Sequence, residues 1–154
     1  MATPEERLAE VGMVLPAAPA PAASYVPWVQ TGNLVHTSGQ IPVVNGVPVA
    51  TGRLGEEVSL EEGQAAARQC AINVLAQRKA AVGELSRVSR LVKITVFVAS
   101  TPDFHSQHLV ANGASELLAM VLGETAGPHA RSAVGTAVLP LTVPVEVEAI
   151  AAIS

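Results

Sequence analysis

The stretch His129-Ala130-Arg131-Ser132-Ala133-Val134-Gly135, followed by Leu139-Pro140-Leu141 and Val145-Glu146-Val147-Glu148, decides how this chain is read. Its apolar residues describe two strands, Ala130–Val138 and Val145–Ala152. Into those strands it sets an arginine and two carboxylates. Burying an unpaired carboxylate is expensive, so Glu146 needs a reason to be there. A buried acid opposite an arginine can bind a small carboxylate and move protons, which makes the segment a candidate active site.

Upstream of it, the same rules give the rest of the order. Thr3-Pro4-Glu5-Glu6 reads as a capped helix start, and Gly12 as the end of that short helix. Leu15–Ala23 is a Pro/Ala connector, too short to separate two domains. Residues 1–24 therefore form an N-terminal helix and connector, and residues 25–154 the domain proper. Tyr25–Gln30 and Leu34–Ser38 flank Thr31-Gly32-Asn33, a tight hairpin; Ile41–Val44 and Val47–Ala50 flank Asn45-Gly46, another. Ser59-Leu60-Glu61-Glu62 opens a helix to about Ala81, stopped by Gly83. Gln64, Arg68, Gln69, Asn73 and Gln77 favour one side of that helix, and Ala67, Ala71, Val74 and Leu75 the other. Val88–Ala99 is a central strand, with Val92, Ile94, Val96 and Val98 on one face. Ser100-Thr101-Pro102-Asp103 opens a second long helix, through about Leu122, closed by Gly123. Gly113 inside it costs about 1 kcal/mol and needs a packing or site reason. Two long helices on one face of a mixed sheet, plus the short N-terminal helix, make an α+β layer fold.

Composition narrows the function classes. Apolar residues make up 49% of 154, charged residues 14% and aromatics 3%. That is more apolar surface than a small monomer hides easily, which points to a subunit interface. A net charge of −4, with no basic stripe, argues against nucleic acid and against a membrane surface. Met1–Glu10 carries acids and no apolar core, so no signal peptide is expected; with one cysteine, Cys70, the expectation is a cytoplasmic protein. Cys70 reads as a small buried hydrophobe, and His36, His105, His108 and His129 form no metal-ligand pattern.

Three motifs then carry a resemblance. They are Gly32-Asn33-Leu34 with Thr37-Ser38-Gly39-Gln40-Ile41-Pro42, Lys93-Ile94-Thr95-Val96-Phe97-Val98 with Asp103-Phe104, and Ala130-Arg131-Ser132-Ala133-Val134-Gly135 with Leu139-Pro140 and Val145–Ala151. Together, over Tyr25 to the C-terminus, they resemble the Rid (reactive intermediate deaminase) family, also called YjgF or endoribonuclease L-PSP, in a divergent branch. The resemblance implies a chorismate-mutase-like fold and a homotrimer with a pocket at each subunit interface. Active members hydrolyse an imine or enamine made from an amino acid to a 2-keto acid and ammonia. No cofactor is implied, because the imine carbon is already electrophilic.

The resemblance places the family arginine on Arg131 and the water-activating acid on Glu146. It places the pocket tyrosine on Tyr25 and the pocket serine on Ser38. The family asparagine falls on His108, with Asn112 one helical turn later. A cysteine two residues after the arginine is Ala133 here, a mild change because its role runs through the backbone. His129 stands where a proline is typical. Arg131 and Glu146 thus become one wall of a pocket for a small carboxylate between subunits.

Each assignment has a plainer rival. Arg131 either forks onto a ligand carboxylate or pairs with Glu146 or Glu148. Glu146 as a base needs burial to raise its pKa, and Glu148, on the same side of the strand, adds repulsion; either acid could simply pair with an arginine. Tyr25 and Ser38 are pocket donors or a rim and a turn residue. His129 is an acid, base or polar selector, or a loop residue after Gly127-Pro128. Asn112 reaches the pocket or caps a distorted helix. At the level of function, a trimeric imine hydrolase competes with a non-catalytic trimer that binds a small carboxylate metabolite, which the departures at His108 and His129 favour. A ribonuclease or translation inhibitor is a third reading, opposed by the acidic balance.

Overall fold

The side chain of Thr3 accepts the Glu6 amide while Glu6 reaches back to the Thr3 amide, and Ser59 and Glu62 do the same. These capping boxes begin two of the three helices of the computed structural model, which describes residues 1–154. Helix α1 spans Pro4–Glu10, α2 Leu60–Val82 and α3 Gln107–Ala126. The strands are β1 Trp28–Thr31, β2 Leu34–Gln40, β3 Val43–Val44, β4 Val47–Pro48, β5 Val88–Ala99, β6 Ala130–Thr136 and β7 Val145–Ile153. Five of them form one sheet in the order β1-β2-β7-β5-β6. Only β5 and β6 run parallel, joined through α3. The other two, β3 and β4, pair as a separate hairpin around Asn45 and Gly46, both at positive φ.

Helices α2 and α3 pack on each other and on one face of the sheet, as the sequence implied. Their apolar residues join Ile94, Val96, Val98, Val145, Val147 and Ala149 in one core. The core includes Leu8 of α1, only 4% exposed. Gly113 has its packing reason: a Cβ there would run into the backbone carbonyl of Gln64, where α3 crosses α2.

Several elements depart from the sequence reading. Tyr25 lies outside β1, which starts at Trp28. Ser100 to Asp103 do not open α3. The Ser100 amide bonds to Thr136 and the Thr101 amide to Leu54, so tertiary pairing keeps the chain out of a helix until Gln107. Gly123 does not end α3 outright. It breaks it at φ 86°, and a last turn continues to Ala126. A Cβ at Gly123 would strike the guanidinium of Arg7, which donates to the Val121 carbonyl and ties α1 to α3.

In β5, register shifts on both sides of Leu91 turn Leu91 to the core and leave Val92 exposed. Asn73 and Gln77 are not on a solvated side of α2. Asn73 donates to the Ile41 and Val43 carbonyls, and Gln77 to the Pro19 carbonyl. Beside them, buried Arg78 donates to the Val35 and Ala149 carbonyls, and burial lowers its pKa to about 10. These long polar side chains fasten β2 and the connector onto α2.

Candidate functional site

Strand β6 is an edge of the sheet, and Arg131 pairs with the core-facing Ile94 of β5. Its side chain therefore leaves on the helix side, toward α3. There Nη1 donates to Asn112 Oδ1 at 2.9 Å and to Ser115 Oγ at 3.2 Å, and Nη2 donates to the His108 carbonyl at 3.1 Å. His129 joins the same group. Its Nε2 lies 2.9 Å from Ser115 Oγ and its Nδ1 2.7 Å from the Gly127 carbonyl. The structure's one ion pair joins Arg53 and Glu56, so Arg131 carries no carboxylate. Arg131, His129 and Ser115 open onto a groove of about 1310 Å³ whose far wall is the start of α1.

Of the residues expected around Arg131, Asn112 touches it with its side chain. His108 supplies only its backbone carbonyl, and its imidazole is exposed. Of the two positions, it is Asn112 and not His108 that lays its side chain on the guanidinium, because one further turn of α3 brings position 112 over it. Ala133, next on the helix side of β6, packs against the core. Ser115 was not singled out from sequence. Its signal was the spacing of three from Asn112, which puts both on one helix face.

The second group lies elsewhere. Glu146 pairs with Phe97, and its neighbours Val145 and Val147 face the core, so its side chain leaves on the face without helices. Glu146, Glu148, Tyr25 and Ser38 border a cavity of about 660 Å³ roofed by the Pro/Ala connector and by Leu141. A bulge between Thr37 and Gln40 sets Ser38 and Gly39 together there. A Cβ on Gly39 would occupy the place of the Glu146 carboxylate. Ser38 Oγ donates to the Val26 carbonyl at 2.7 Å, and Tyr25, 47% exposed, accepts the Ala22 amide on its hydroxyl at 3.2 Å. Burial pushes the Glu146 carboxyl above its usual range, and the charge of Glu148 pushes it further. Leu141 and Thr142 hold positive φ at the edge of this cavity, strain that sequence did not reveal.

Arg131 and Glu146 thus do not share a wall within one chain. They project from opposite faces of the sheet, two strand spacings or about 10 Å apart across it. The arrangement supplies a guanidinium with no carboxylate partner on one side and, on the other, a carboxyl that holds its proton more readily than usual. No group of three or more His, Cys, Asp or Glu side chains is placed to hold a metal ion. Cys70 is buried, and desolvation, then the Glu146 charge, raises its pKa well above normal, so it presents no thiolate. No helix is long and apolar enough to cross a membrane.

Comparison with known proteins agrees with these motifs. Residues 15–153 match the family described as endoribonuclease L-PSP. The chain is 51% identical over 143 residues to Protein TCP17 of Trypanosoma cruzi, covering 93% of this chain and 89% of that one. It is 41% identical to the 2-iminobutanoate/2-iminopropanoate deaminase of Salmonella typhimurium over 87% of this chain and 91% of the relative. Among solved structures, the Agrobacterium tumefaciens protein Atu1372, of unknown function, superposes with a TM-score of 0.91 at 50% identity, covering 98% and 92% of the two chains. The chain has the chorismate-mutase-like fold and belongs to the endoribonuclease L-PSP family, the family of the YjgF and Rid-type deaminases.

Proposed function

We propose that the protein hydrolyses 2-imino acids, and their enamine tautomers, to 2-keto acids and ammonia, in a pocket shared between copies of the chain in a homotrimer. The observation that carries this reading is the pairing of an arginine free of any carboxylate with a carboxyl of raised pKa. Their placement on opposite sheet faces favours a pocket that takes Arg131 from one copy and Glu146 from the next. The face bearing Glu146 supports the same assembly. It exposes Val29 and Val134 beside Phe97 and Ile150, with both long helices on the other side.

In the pocket, Arg131 holds the substrate carboxylate through guanidinium hydrogens that the chain leaves free. Ionised Glu146 takes a proton from water as its oxygen bonds to the imine carbon, and the C=N π pair moves to nitrogen. The proton passes on to that nitrogen. The hydroxyl of this carbinolamine then gives up its proton, which Glu146 passes to the same nitrogen; the C–N bond breaks, ammonia leaves, and the O–H pair becomes the carbonyl of the keto acid. Tyr25 and Ser38 border the same cavity as Glu146 and supply its hydroxyls.

The test follows the loss of 2-iminobutyrate generated in situ by a dehydratase. Wild-type protein is expected to speed its conversion to 2-oxobutyrate, and Arg131→Ala and Glu146→Gln to abolish the effect. Equal rates for wild type and Arg131→Ala reject the reading. Thermal stabilisation by 2-oxobutyrate without any turnover would instead identify a carboxylate-binding trimer.

A further inference from the structure

The hydrogen bonds around Arg131 have a direction. A guanidinium only donates and a carbonyl only accepts. His129 Nδ1, 2.7 Å from the Gly127 carbonyl, therefore carries a proton. In the neutral imidazole this leaves Nε2 as an acceptor, for which the Ser115 hydroxyl, at 2.9 Å, is the donor. The Ser115 oxygen in turn accepts from Arg131 Nη1. The chain runs one way, from Arg131 to Ser115 to His129 to Gly127.

Five N–H groups leave a guanidinium. Asn112 and Ser115 take both hydrogens of Nη1, and the His108 carbonyl takes one of Nη2. Nε–H and one hydrogen of Nη2 remain free. An arginine with one nitrogen fully occupied cannot turn about its terminal bond without breaking those contacts.

We infer that Ser115 and His129 act as one positioning unit, which locks the Arg131 guanidinium so that its two free hydrogens face the carboxylate of the ligand. The inference rests on the reading of Arg131 as the carboxylate anchor. His129, on this account, reaches the substrate only through Ser115 and Arg131. It differs from a packing role because the two residues depend on each other.

Calorimetric titration of the intact protein with 2-oxobutyrate, a stable 2-keto acid, tests it. Ser115→Ala and His129→Leu are each expected to weaken binding about threefold to tenfold, the worth of one hydrogen bond. The double variant is expected to bind no worse than either single one. Ser115→Thr and His129→Gln keep the donor and the acceptor and are expected to bind within about twofold of wild type, while a lost hydrogen bond would exceed that. In turnover, the loss is expected in KM with kcat unchanged, since the carboxylate is held alike in substrate and transition state. Additive losses in the double variant overturn the inference. So do single variants that bind like wild type while Arg131→Ala does not bind, and in that case the anchor reading survives. Wild-type binding by Arg131→Ala removes both. Should Ser115→Ala fail to fold, His129→Leu against His129→Gln carries the same comparison.

Discussion

Arg131 and Glu146 stand on opposite faces of one sheet, on strands β6 and β7 with β5 between them. If they work together, they do so across a subunit boundary. Co-expressed Arg131→Ala and Glu146→Gln chains, each inactive alone, are then expected to complement each other. A site is whole when its arginine comes from one variant and its acid from the other, so random mixing restores about a quarter of wild-type activity. Imine hydrolysis by separately tagged, co-purified chains measures this; no recovery would place both residues of a site in one chain.

The raised pKa of Glu146 sets a pH dependence. Burial is the larger cause and Glu148 the second. A base must be ionised, so activity should fall on acidification with a limb above the ordinary carboxylate range. Glu148→Gln removes one of the raising influences and should move that limb to lower pH, read from kcat/KM against pH. For stability the sign is opposite to that of a salt-bridged acid. The folded state binds this proton more tightly than the unfolded chain, so the stabilisation is complete below the unfolded pKa and is lost as pH rises through the folded one. Glu146→Gln is expected to raise the melting temperature at pH 7 and leave it unchanged at pH 4.

Gly39 is required for the place that the Glu146 carboxylate takes, since a Cβ would stand there. Gly39→Ala should displace the carboxylate and leave the fold intact. A shift of about 1 Å in a reacting group costs on the order of 100-fold in rate. Steady-state kinetics, beside an unchanged circular dichroism spectrum, checks this.

Gly113→Ala acts on the fold. Its Cβ would meet the Gln64 carbonyl, a backbone atom that no rotamer change can move. The α2–α3 contact must open, at about 1–3 kcal/mol for overpacking. Urea unfolding should show a lower midpoint with little change in slope.

Arg78→Met keeps length and loses the donors to Val35 and Ala149. Both carbonyls belong to strands paired on either side, so the loss is that of the charged donor's hydrogen bonds and not of the carbonyls' last partner. The expected result is a protein less stable by about 1.5–3 kcal/mol, the worth of a hydrogen bond from a charged donor. Thermal unfolding measures it.

Which parts of this were legible in the chain follows from the range of the forces involved. The capping boxes at Thr3 and Ser59, the Asn45-Gly46 turn and the stop at Gly83 rest on contacts within a few residues, and sequence determined all of them. The alternation Val145-Glu146-Val147-Glu148 likewise set which residues face the core. The start of α3 was not legible, because the bonds that hold Ser100 and Thr101 extended come from Thr136 and Leu54. Nor was the exposure of Val92, which a bulge against β7 decides. At the site, sequence named Arg131, Glu146 and Asn112 by residue type. Tertiary structure alone determined that Ser115 links Arg131 to His129, that Gly39 makes room for Glu146, and that arginine and acid turn away from each other. Spacing along a strand assigns a residue to one of two faces. Only the pairing of β6 with β5, and of β5 with β7, says whether two strands show the same face to the same solvent.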